Sequence, residues 1–90
     1  MNELLRFQSK ATDGINILFQ PTYEFVFYED RFTLLQKGKF VRTVLYSDIS
    51  EIAMVKTWQT NVIINCKPFG VTIHKVSDDI FKRIKEITKR

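Results

Sequence analysis

At 90 residues, with 14 Lys and Arg against 10 Asp and Glu, the chain has the size of one small, mildly basic domain spanning residues 1–90. Hydrophobic residues make up 44%, Phe occurs eight times, and Gly and Pro occur only 3 and 2 times. This excludes a disordered or collagen-like chain and most two-lobed enzymes, and one compact core must supply most of the stability.

A single cysteine, Cys66, excludes an internal disulfide and a cysteine-rich zinc site and points to the reducing cytoplasm. No uninterrupted apolar run exceeds four residues, as in Phe25–Tyr28, against the roughly 20 that span a bilayer. Met1–Arg6 carries no pattern of a signal peptide or a lipidation site.

In chain order, residues 1–14 carry the weakest signal and are expected to be an irregular N-terminal segment, with 3–10 open between a strand and a short helix. Gly14–Phe19 reads as a strand ended by Gln20 and Pro21. From Phe25 to Ile73 the pattern has period two. Glu24–Tyr28 and Phe32–Gln36 are strands separated by the polar Glu29–Arg31. Lys37-Gly38-Lys39 predicts a hairpin, with the glycine at positive φ, returning as Phe40–Tyr46. After Ser47 and Asp48 come strands over Ile49–Val55, Asn61–Cys66 and Phe69–His74, joined by Lys56–Thr60 and by Lys67-Pro68. The period then changes. Ser77 is an N-cap, Asp78 and Asp79 complement the helix dipole, and Ile80, Phe81, Ile84 and Ile87 form one apolar face.

Period two assigns Phe25, Phe27, Phe32 and Phe40 to the interior. The expected core holds Phe25 or Val26 with Leu34, Val44, Ile52, Met54, Ile64, Val71, Ile73, Ile80, Phe81 and Ile84. Short successive strands imply a mainly β fold: an antiparallel barrel or sandwich of about seven strands capped by a C-terminal α-helix.

That order, together with Phe27-Tyr-Glu-Asp-Arg-Phe-Thr-Leu-Leu35, Val44-Leu-Tyr-Ser-Asp-Ile-Ser-Glu-Ile52 and Ser77-Asp-Asp-Ile-Phe81, resembles the pleckstrin-homology-like (PH-like) superfamily, in particular the bacterial PH and GRAM-type domains. The resemblance covers roughly residues 15–90. It implies a non-enzymatic binding module, and strand addition at an exposed sheet edge is a mode the family uses. One departure is that many such domains carry a tryptophan in the helix, where this chain has Phe81 and places its only tryptophan, Trp58, in a connection.

Catalytic chemistry finds little to build on. His74 is the only histidine and reads as a strand-end residue, while Cys66 alternates with Val62 and Ile64 as a small apolar residue does. Neither cofactor nor metal is expected, since Asp78 and Asp79 are explained by the helix N-terminus. The candidate anion- or lipid-binding residues are Lys37, Lys39 and Arg42, which surround a glycine turn, although Lys39 and Arg42 point to opposite faces of a regular strand. Trp58 is a candidate partner contact, or else folds over an end of the sheet.

Residues 77–90 and 1–76 each carry a net charge of +2, so the excess is spread and forms no stripe for nucleic acid. The expected function is protein–protein or homo-oligomeric contact through a strand edge. The alternative is an anionic lipid of phosphoinositide type held by the 37–42 hairpin.

Overall fold

The computed structural model describes residues 2–14 and 20–90. Seven strands follow one another as β1 (Leu5–Asp13), β2 (Thr22–Phe27), β3 (Arg31–Gln36), β4 (Lys39–Leu45), β5 (Ile49–Lys56), β6 (Thr60–Cys66) and β7 (Val71–Ile73), and then α1 (Asp78–Thr88). All neighbouring strands pair antiparallel in one sheet of order β4-β3-β2-β1-β7-β6-β5. The sheet is not closed, because β4 and β5 each pair with only one strand.

Residues 1–14, expected as an irregular segment, instead hold the middle strand of the sheet. Its first part pairs with β2, from Leu5↔Phe27 to Lys10↔Thr22, and its last part with β7, from Ala11↔Ile73 to Asp13↔Val71. Leu5, Phe7, Ser9 and Ala11 alternate inward against the exposed Arg6, Gln8 and Lys10. Ser9 is accommodated on the inner face because its hydroxyl donates to the His74 carbonyl. The strand expected over Gly14–Phe19 falls on residues 15–19, outside the described residues.

The β3–β4 hairpin turns on two residues, Lys37 at φ 52° and Gly38 at φ 77°, between the paired Gln36 and Lys39. Both central residues are left-handed, the turn whose twist matches that of antiparallel strands. Beyond it Leu35 pairs with Phe40 and Leu34 with Arg42, so Val41 is an extra, unopposed residue. Counted regularly from the turn, Arg42 would lie opposite Thr33 on the outer face. The bulge shifts it one step, opposite the fully buried Leu34.

The same bulge corrects the expectation for Phe40. Counting back from the buried Val44 in steps of two places Phe40 inside, but Val41 breaks the count and Phe40 is 65% exposed.

Phe25, Phe27, Phe32, Leu34, Val44, Ile52, Ile64, Val71, Ile73 and Ile84 make the core as expected, and Ala11, Tyr23, Tyr46, Ile49, Val62 and Val76 join them. Phe25 and Val26 are both fully buried, and Val26 lies on the opposite face between Arg6 and Thr33. Met54 is only half-buried, and Ile80 and Phe81 pack against the core from its margin. Tyr46 anchors the 3₁₀ turn at Tyr46–Asp48 by donating its hydroxyl to the Tyr28 carbonyl at 2.6 Å. Burial pushes this phenol well above its ordinary pKa.

Helix α1 starts as its sequence dictates. The Ser77 hydroxyl accepts from the Ile80 amide at 3.2 Å, and Asp78 and Asp79 lie in the first turn. Ile84 is fully buried and Ile80, Phe81 and Ile87 flank it, so the apolar stripe faces the sheet. The helix stops where Lys89 turns left-handed at φ 57°. Arg90 Nε then donates to the Tyr46 carbonyl at 3.0 Å, tying the end of the chain to the β4–β5 corner.

Candidate functional site

Arg42 is the most heavily engaged polar side chain on β4. Its Nη1 donates to Asp13 Oδ1 at 2.7 Å, and its Nη2 donates to the carbonyl oxygens of Phe69 at 2.7 Å and Lys67 at 3.1 Å. The guanidinium lies 4.4 Å from the centroid of the Phe69 ring. The side chains of Arg42 and Asp13 are only 11% and 12% exposed. The planar fork of arginine suits this set of partners, since one ammonium could not reach them all.

Gly14 completes the arrangement. At φ 84° it takes a conformation that L side chains rarely adopt, and a Cβ there would come within 2.7 Å of the Phe69 ring. Its amide donates to the Gly70 carbonyl at 3.1 Å. Strand β4 is thereby joined to the end of β1 and to the β6–β7 connection, although no backbone ladder runs between them.

The candidate anion site is therefore divided. Lys37 and Lys39 stand exposed at the hairpin, while the bulge turns Arg42 inward to Asp13. Lys39 and Arg42 do share a facing phase, contrary to the regular-strand count, because Gln36 and Leu34, their partners, are two residues apart. The structure brings two lysines together at the turn and withholds the guanidinium.

What the hairpin does expose is the free side of β4. Phe40, Val41 and Leu45 are exposed along it, and among the described residues β3 is its only strand partner. The other edge, β5, presents Ser50, Glu51, Val55 and Lys56. Beside one exposed charge, Lys39, β4 presents three exposed apolar residues, whereas β5 presents two charges and one apolar residue, so β4 is the more adhesive edge of the two.

Trp58 does not fold over the sheet. It is 87% exposed in the bend between β5 and β6, beside a depression of about 460 Å³ whose lining includes Gln8, Lys10, Gln59, His74 and Lys75.

His74 and Cys66 are held far apart. Cys66 lies at the β6–β7 turn, beyond the Ile64↔Val71 pair, and its thiol donates to the Phe69 carbonyl at 3.4 Å. His74 lies past the opposite end of that ladder, beyond Val62↔Ile73, with Nε2 3.3 Å from Thr12 Oγ1. The intervening strand length is about 16 Å at ~3.3 Å per residue, so the two form no nucleophile–base pair. Burial pushes the Cys66 thiol up, against the pull of Arg42, and lowers the His74 pKa. Among the described residues no group of three or more His, Cys, Asp and Glu is arranged to hold a metal ion, and no helix is long and apolar enough to cross a membrane.

Sequence reasoning missed the Arg42–Asp13 pair and the adhesive character of β4. The exposure of Phe40 follows from the one-residue bulge at Val41, and the partner of Arg42 lies 29 positions away on another strand; neither leaves a local signature. No protein-family model matches the chain, and no curated protein matches it.

Proposed function

We propose that the chain is a PH-like, non-enzymatic assembly module that associates through the free edge of β4, pairing first with a second copy of itself. The observation that carries the reading is the edge itself: among the described residues β4 has one strand partner, and it exposes Phe40, Val41 and Leu45. The seven-strand order with a terminal helix supports the PH-like part of the reading.

Charge supports self-pairing. In an antiparallel pair centred near Arg42, Lys37 and Lys39 of one copy run alongside Leu45–Asp48 of the other, so the two basic ends lie apart and the exposed Asp48 meets positive charge. Arg42, at the centre, is already neutralised by Asp13.

Light scattering across a concentration series tests this. The reading expects a mass rising from 10.7 kDa towards twice that value, and a Phe40→Lys variant that stays monomeric while folding normally. A wild-type mass fixed at the monomer value from micromolar to millimolar concentration would remove the self-pairing reading.

A further inference from the structure

A second site lies away from the β4 edge. Lys10 on β1, Trp58 and Gln59 in the β5–β6 connection, His74 and Lys75 after β7, and Gln8 line one depression of about 460 Å³. Among the described residues no carboxylate lines it. Among the described residues neither Lys10 nor Lys75 is ion-paired. A depression beside the β3–β4 hairpin, by contrast, includes Glu24, which is already bound to Arg6.

The walls are fixed by hydrogen bonds. The His74 amide donates to the Lys10 carbonyl at 2.8 Å, and the Val76 amide to the Thr60 carbonyl at 2.9 Å. Asn61 Oδ1 accepts from Gln59 Nε2 at 3.0 Å and from the Lys75 amide at 3.4 Å. Lys75 is held at φ 55°, a left-handed conformation uncommon for a residue with a long side chain. An uncovered indole and two unpaired ammonium groups thus share a preorganised polar surface.

We propose that this depression binds a nucleotide unit, with the base stacked on Trp58, the phosphate between Lys10 and Lys75, and the amides of Gln8 and Gln59 offered to the polar edge of the base. Stacking needs an exposed aromatic plane, and the phosphate needs cations without competing carboxylates. A free nucleotide and one unit of single-stranded nucleic acid present the same chemistry. The site and the β4 edge share no residue, so either stands if the other fails.

Trp58 is the only tryptophan, so its fluorescence reads the site directly. The full chain is titrated with AMP and with a single-stranded oligouridylate, and adenosine and inorganic phosphate serve as partial ligands. Calorimetry repeats each titration on Trp58→Ala and on the Lys10→Ala/Lys75→Ala pair. The expected result is saturable quenching by AMP that weakens with salt, with adenosine and phosphate each binding less tightly. Both variants should bind at least about tenfold more weakly with unchanged thermal unfolding. An oligouridylate tighter than AMP identifies a strand as the source, and the reverse identifies a free nucleotide. The proposal is overturned if neither AMP nor the oligonucleotide quenches saturably, if the lysine pair binds as wild type does, or if inorganic phosphate equals AMP and Trp58→Ala changes nothing.

Discussion

Arg42 donates to Asp13 at 2.7 Å and so ties edge strand β4 to the end of the middle strand β1. The pair is nearly buried, and two backbone carbonyls and the Cys66 sulfur also accept from the guanidinium. Removing one partner would strand the other charge in a poorly hydrated place, which costs far more than the pair itself contributes.

Arg42→Ala is therefore expected to lower unfolding stability in urea by about 3 kcal/mol. Arg42→Lys should recover only a minority of that loss, because a single ammonium cannot serve Asp13 and both carbonyls. An Arg42→Ala protein within about 0.5 kcal/mol of wild type would contradict the role given to this pair.

Gly14 should tolerate no side chain. Alanine there meets the Phe69 ring at 2.7 Å while at φ 84°, and the ring cannot withdraw without leaving the Arg42 guanidinium. Gly14→Ala is expected to cost about 2 kcal/mol or more in chemical denaturation, and a neutral result would refute the close packing.

The hairpin turn makes an opposite prediction. Lys37 sits at φ 52° with its side chain exposed, so Lys37→Asn should raise stability by roughly 0.5 kcal/mol, since Asn tolerates this conformation better. Gly38→Ala, at φ 77° with nothing within 4 Å of its Cβ, should cost about 1 kcal/mol from the backbone alone. Thermal unfolding of the two variants distinguishes the signs.

Acid should weaken the fold through His74. Burial lowers its pKa in the folded chain, so on acidification the unfolded chain takes up the proton first, near its ordinary value of about 6.5. The stability is complete above that value and is lost as the pH falls through the folded pKa. The urea midpoint should fall on acidification through this window, and His74→Gln should flatten that part of the profile. Identical pH profiles for the two proteins would show that His74 plays no part.

Much of the architecture was legible because it is written locally. Ser77 followed by Asp78, Asp79 and the Ile80–Ile84 spacing specifies a capped amphipathic helix, and Lys37-Gly38 between alternating strands specifies a hairpin. Strand β1 was obscured because Ser9 and Ala11 occupy inward positions where larger apolar residues usually mark the face. Phe40 departs from the alternation because one bulged residue, Val41, shifts the phase of Lys39 and Phe40 relative to Arg42 and Val44. The partner of Arg42 lies 29 positions away on another strand, a relationship that periodicity does not encode.

Amide hydrogen exchange measured as a function of protein concentration tests the assembly reading most directly, because it reports strand by strand. The account predicts that amides of Lys39–Leu45 gain protection between micromolar and millimolar protein while those of Ile49–Lys56, on the other edge, do not. Exchange in β4 that is independent of concentration, with a mass that stays at 10.7 kDa, would contradict it.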